Sequence, residues 1–191
     1  LQLSIRRFPS LVDSLFRALA LDTLFPKSSL FNSRSAILQK FNEIQEVDVI
    51  IGCFWCVRNS AINKVGLLDE DFFIYSEDID WCKRFLQSGY RVVYYPFASA
   101  IHYIGVSAHN APLRFNIERQ KTDLIYWKKH HSLFERLIYY CILLFNHFIR
   151  ITAEFMGLLF FSYKKKSDKF VKLKVSFQTF IWLLGFRKDK N

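Results

Sequence analysis

Glu77, Asp78 and Asp80, three carboxylates inside Ser76-Glu77-Asp78-Ile79-Asp80-Trp81, constrain this chain more than any other feature. Like charges this close repel one another. Such a run is stable where it opens a helix, whose N-terminal partial charge favours each acid by roughly 0.3–1 kcal/mol, or where it faces a cation or a hydroxyl. The spacing of Ile79, Cys82, Phe85 and Leu86 predicts a helix over 77–88, with Ser76 as its cap and Gly89 as its end. Ahead of it, Asp69–Tyr75 reads as an acidic, aromatic loop. Asn59 or Ser60 caps a short helix that runs through Val65 and closes on Gly66. Residues 46–57 read as a buried strand rich in β-branched and aromatic side chains, in which Gly52 marks a bulge or a close backbone approach. Arg91–Tyr95 and Ser99–Tyr103 read as two more strands. Strand, helix and strand joined by short links predict a layered α/β arrangement.

The acid is concentrated there against the trend of the chain. The 191 residues carry 27 Lys and Arg against 17 Asp and Glu. Residues 46–110 hold 5 basic and 8 acidic side chains, while both flanks are basic. With 51% hydrophobic and 18% aromatic residues the chain can bury a core, and disorder is disfavoured. The basic residues interleave with long apolar runs and form no nucleic-acid motif, which argues against a DNA or RNA partner. Four Cys do not make a disulfide framework in a chain of this length. Cys53 and Cys56 match C-x-x-C without a second pair, so they read as core thiols and not as a zinc or redox site. The sequence starts at Leu1 with no signal-peptide pattern and reads as a portion of a longer, cytoplasmic-facing protein.

Four segments follow from these shifts: 1–45, a connector with one helix capped by Ser10; 46–110, the acidic α/β part; 111–135, a basic amphipathic helix; and 136–191, apolar and basic helices. Leu137–Tyr163 is apolar for 27 residues but interrupted by Asn146, His147, Arg150 and Glu154. A spanning helix needs about 20 mainly apolar residues, and a central charge costs roughly 2.5–3.5 kcal/mol. Arg150 and Glu154 lie one turn apart and are placed to pair. Lys169–Phe186 combines lysines with Phe170, Leu173, Phe177 and Phe180, the pattern of a helix lying on an anionic leaflet. The expectation is membrane-surface helices. His130 and His131 read as surface residues.

The order of motifs resembles the second half of a family 2 glycosyltransferase. It runs Val47-Asp48, Gly52-Cys53, Arg58, Val65-Gly66, Asp69-Glu70-Asp71-Phe72-Phe73, Glu77-Asp78-Ile79-Asp80, Gly89-Tyr90-Arg91-Val92, Ile101-His102 and Gly105-Val106-Ser107. The likeness is nearest to rhamnosyltransferase-like enzymes of surface-polysaccharide assembly and covers roughly Arg6 to His131. It implies the acceptor-side half of a GT-A (Rossmann-like) fold and inverting transfer of a rhamnosyl or similar sugar from a nucleotide-sugar donor to a saccharide or lipid-linked acceptor. The location implied is the cytoplasmic face of the inner (plasma) membrane, peripheral or monotopic. Carried over by the resemblance, Asp78 is the catalytic base, Glu77 orients the acceptor, Gly52 and Cys53 line the acceptor pocket with backbone, and His102 helps to ligate a divalent metal (Mg or Mn) on the donor diphosphate. Leu67 stands where a second Gly is usual and Cys53 where Ala is usual. The Asp-x-Asp metal motif of the family's first half has no counterpart, since Asp69–Asp71 and Asp78–Asp80 align elsewhere.

The chemistry asks for such groups independently. A sugar hydroxyl is a poor nucleophile, and a carboxylate in hydrogen-bond reach assists its attack. The leaving diphosphate gains charge that a divalent ion offsets. The competing expectation is a membrane-associated binding module without turnover, whose acids only open a helix.

Overall fold

The computed structural model describes residues 4–32, 42–102, 111–160 and 163–185. Seven helices and four very short strands order these residues. They are β1 (Ile5–Arg6), α1 (Leu11–Ala18), α2 (Leu21–Leu24), β2 (Gln45–Glu46), β3 (Val49–Ile50), α3 (Asn59–Val65), α4 (Glu77–Gln87), β4 (Val93–Tyr94), α5 (Pro112–His130), α6 (Leu133–Phe160) and α7 (Tyr163–Leu183).

Local chemistry accounts for the helix ends. Ser10 sits in extended conformation and its hydroxyl accepts the Asp13 N–H at 3.1 Å, which satisfies one of the orphan donors of the first turn. Ser10→Ala should therefore lower stability by about 1 kcal/mol, read as a lower midpoint in urea with an unchanged slope. Gly66 ends α3 at φ 88°, a backbone conformation that L side chains rarely adopt. Pro112 opens α5 at a position where its missing N–H costs nothing.

The strands are less extensive than the sequence predicts. β1 pairs antiparallel with β3, Ile5 opposite Ile50, and β2 pairs antiparallel with β4, Glu46 opposite Val93. No parallel ladder appears among the described residues. The strand expected over 46–57 stops at Ile50: Cys53 N–H turns back to the Ile51 carbonyl at 2.8 Å, and Cys53, Phe54 and Cys56 are exposed. The reading of Cys53 and Cys56 as core thiols is thereby corrected, because a chain that turns after Ile51 leaves them outside. Of the strand expected over 99–103, residues 99–102 are irregular, and residue 103 lies outside the described set, as do Gly105, Val106 and Ser107.

The core has two parts. One joins Val49, Phe72, Ile79 and Cys82 to Tyr126 and Trp127 of α5, with Tyr139, Leu143 and Leu183 from the last two helices. Trp127 stacks on Tyr139 with ring centroids 4.5 Å apart. The other packs Ala61, Trp81 and Phe85 under Trp55 and Tyr90. Of the face of α4 foreseen from the spacing, Ile79, Cys82 and Phe85 are buried and Leu86 is half-buried.

α6 and α7 pack as a pair. Among the described residues α6 is long and apolar enough to cross a membrane. Its His147 is buried, as are Ser176 and Thr179 of α7, and Asn116 of α5 donates to the Thr179 hydroxyl at 2.8 Å. Glu154 meets Lys169 of α7 at 3.5 Å, in place of the Arg150 partner expected from helical spacing. Phe145, Phe148, Phe155, Phe170 and Phe177 of the pair are exposed.

Candidate active site

The turn into α4 is strained. Tyr75 and Ser76, neither of them glycine, have φ of 68° and 62°. Left-handed non-glycine residues cost on the order of 1–3 kcal/mol each, and such outliers cluster at functional sites. Ser76 occupies the cap position but does not cap with its side chain. Its hydroxyl reaches across to α5 and donates to Asp123 Oδ1 at 2.8 Å. The expected hydroxyl cap gives way to a tertiary tie because the left-handed backbone turns the side chain from the helix end.

The strained turn delivers Glu77 and Asp78. Asp78 Oδ1 accepts its neighbour's Ile79 N–H at 2.8 Å. A Cβ built on Gly52 would lie 3.8 Å from the Asp78 Cβ and 3.5 Å from the Trp55 ring, ordinary van der Waals contact that places Gly52 beside both side chains. Burial pushes the Asp78 carboxyl above its usual range, although the Ile79 N–H, the positive charge of Arg6 and the Gly52 N–H act the other way. Burial also raises Glu77, reinforced by the charge of Asp78. Glu77 Oε2 is buried with no hydrogen-bond partner among the described residues. A buried carboxylate raised above its ordinary value beside an unsatisfied acceptor is the kind of environment found around catalytic acids and bases.

Asp80 is different. It is 1% exposed, and its two oxygens each hold a cation-capable group at 2.7 Å, Arg84 Nε on one and His130 Nε2 on the other. Burial alone would raise its carboxyl, but the hydrogen bonds from His130 and Arg84 outweigh burial and hold it below the ordinary value. Arg84 goes on to donate to the carbonyls of Val65 and Leu67 at 3.1 and 2.9 Å, fixing the end of α3. This clamp gives Asp80 a structural part, apart from Asp78. The reading of His130 and His131 as surface residues does not hold: His130 is 7% exposed at its side chain, and His131 stacks on Trp127 at 4.0 Å and faces Glu135.

The acidic loop is held by α5 as well. Lys129 pairs with Asp69 and, at 2.6 Å, with Asp71, while its ammonium lies 5.5 Å from the Phe72 ring. Asp123, Tyr126, Lys129 and His130 thus form one face of α5 that backs the turn into α4. Their spacing of three, six and seven residues was the available sequence pattern for this face.

Of the expected site residues, Asp78 lies beside Gly52, Glu77 is its chain neighbour, and Cys53 is the exposed residue after Gly52. His102 is exposed on the irregular segment after β4. Among the described residues no three His, Cys, Asp or Glu side chains converge to hold a metal. These residues alone do not make up the divalent site that the resemblance implies, and no catalytic step is routed through an ion here.

The sequence matches the family model described as glycosyl transferase family group 2 over residues 27–184. The chain is 35% identical over 102 residues to the rhamnosyltransferase WbbL of Escherichia coli K12, covering 52% of this chain and 34% of that protein. It is 30% identical over 131 residues to the N-acetylglucosaminyl-diphospho-decaprenol L-rhamnosyltransferase of Mycobacterium tuberculosis H37Rv, covering 68% of this chain and 41% of that protein. The matched stretches therefore cover less than half the length of these relatives. No solved structure gives a significant match. The motifs around Asp78, the family match over most of the sequence and the two relatives agree: the chain belongs to glycosyl transferase family group 2 and is rhamnosyltransferase-like.

Proposed function

We propose that this chain is the acceptor-side portion of an inverting glycosyltransferase that moves a rhamnosyl or similar sugar from a nucleotide sugar to a saccharide or lipid-linked acceptor. The observation that carries the proposal is Asp78, raised by burial, seated against Gly52 at the end of a strained turn. In this reading the Asp78 carboxylate takes the proton of an acceptor hydroxyl as its oxygen bonds to the anomeric carbon. The bond from that carbon to the nucleoside diphosphate breaks on the opposite face. Glu77 binds the acceptor, whose hydroxyl supplies the partner that Oε2 lacks. Backbone at Gly52 and Cys53 lines the acceptor pocket. Enzymes of this family with the GT-A fold commonly use a divalent metal; His102 is the ligand this chain contributes, with the remaining ligands outside the described residues.

The four segments take matching roles: a connector over 1–45, the catalytic part over 46–110, a bracing helix over 111–135 and membrane-associated helices over 136–191. The exposed phenylalanines of α6 and α7 and the basic composition support a seat on the anionic cytoplasmic surface of the plasma membrane, peripheral or monotopic. Nucleic acid has no part in it.

The test is transfer of labelled sugar from a nucleotide sugar to a membrane extract by the full-length protein, with Asp78→Asn beside the wild type. Transfer by the variant within a few-fold of the wild-type rate removes Asp78 as base. A second result is expected of the 191-residue chain alone. Titrated with a nucleoside diphosphate in a calorimeter, it shows no binding, because the donor half of the family's site is not in this sequence. Millimolar or tighter affinity would place the donor site here.

A further inference from the structure

The groove where α5, α6 and α7 meet takes no part in this chemistry. It encloses about 400 Å3. On α5, Lys121 and Lys128 stand on either side of Leu124 and Ile125; on α6, Arg136 stands between Leu133 and Leu137; Trp182 of α7 completes the lining. Both helices thus present a stripe at i, i+3, i+4 and i+7 to the same space.

Two features separate this groove from an ordinary solvated surface. Lys121, Lys128 and Arg136 make no salt bridge among the described residues, whereas Lys129 on the same helix makes two. The leucines beneath them are open to solvent, Leu133 at 65% and Leu137 at 56% exposure. Three unneutralised cations over open apolar side chains match an anion joined to a hydrocarbon. The apolar surface does not stop at the groove but continues through exposed Phe134, Phe145 and Phe148 along α6. An acidic peptide would leave that continuation uncovered, and a bilayer would cover it.

We propose that this groove seats one anionic phospholipid of the bilayer. Its phosphate lies among Lys121, Lys128 and Arg136, and an acyl chain runs over Leu133, Leu137 and Trp182. The inference rests on the membrane-surface reading of α6 and α7, and it is independent of the sugar-transfer reading.

The test uses the full-length protein in flotation with vesicles of phosphatidylcholine, of phosphatidylcholine with phosphatidylglycerol, and of phosphatidylcholine with a polyprenyl diphosphate. Phosphatidylglycerol vesicles are expected to bind it. The triple variant Lys121→Gln, Lys128→Gln, Arg136→Gln should lower that partition roughly 100-fold. Removing the same charge elsewhere, with Lys27→Gln, Arg58→Gln and Arg91→Gln, should change it only a few-fold. Phosphatidylglycerol with brominated acyl chains should quench the tryptophan emission, and Trp182→Phe should remove part of that quenching. Equal losses in the two triple variants, or quenching indifferent to Trp182→Phe, overturns the groove while leaving membrane association intact. Binding to polyprenyl diphosphate vesicles alone overturns the phospholipid as occupant. Absence of binding to every vesicle removes the membrane reading and the groove together, and does not touch the transfer assay.

Discussion

Asp78→Asn in the full-length protein is expected to lower kcat by roughly 10²–10⁴, the usual contribution of a positioned general base, and at the same time to raise the melting temperature at neutral pH. The two effects have one cause. Burial raises the Asp78 carboxyl above the value of an unfolded chain, so the fold disfavours its charged form. Such a group costs no stability below the unfolded pKa of 3.8, and the cost grows as pH rises through the folded pKa. Asparagine is of similar size and removes the charge. The gain in melting temperature should therefore be largest at neutral pH and vanish in acid. A variant that loses both activity and stability would identify Asp78 as a structural residue. Activity lost with stability gained is the trade that functional carboxylates show.

The largest stability effect is expected at Asp80. Asp80→Ala strands Arg84 and His130 beside an empty, buried position, a loss on the order of 3–5 kcal/mol. For a domain of this size that lowers the melting temperature by roughly 6–20 °C. The pH dependence has the opposite sign to that of Asp78. The folded pKa of Asp80 lies below 3.8, so its contribution is full above the unfolded pKa and is lost as pH falls through the folded one. Unfolding curves of wild type and Asp80→Ala should lie far apart at neutral pH and converge in strong acid. The double variant Asp80→Ala with His130→Ala should be less destabilised than the sum of its parts, because each single change already breaks the shared contact. Strict additivity would dismiss the clamp.

The sequence made α4 legible almost to the residue, since apolar spacing, an acidic first turn and Gly89 are all local. Ser76 was misread for a reason that spacing cannot encode: a left-handed φ sends its hydroxyl to Asp123, 47 positions away. His130 looked superficial because its partner Asp80 lies 50 positions earlier. The strand over 46–57 carried the right side chains, but strand preference depends on neighbours. Here β3 has one partner only two residues long. Family membership implies the α/β GT-A fold, and the described part of it is rich in helix. The metal ligand set was not readable for the same reason: His102 is a single candidate, and ligand sets assemble from distant segments.

The bracing of the turn into α4 by α5 also bears on how the chain acquires its shape. The contacts that hold Ser76, Asp80 and Asp69 join residues 47, 50 and 60 positions apart, so each closes a long loop before it is repaid. During synthesis, the segment carrying Asp78 emerges well ahead of α5. The tie from Ser76 to Asp123 and the pairings of Asp80 and Asp69 with His130 and Lys129 form only after residues 123–130 have left the ribosome. The full set of contacts around the turn is thus completed late, when the fifth helix docks.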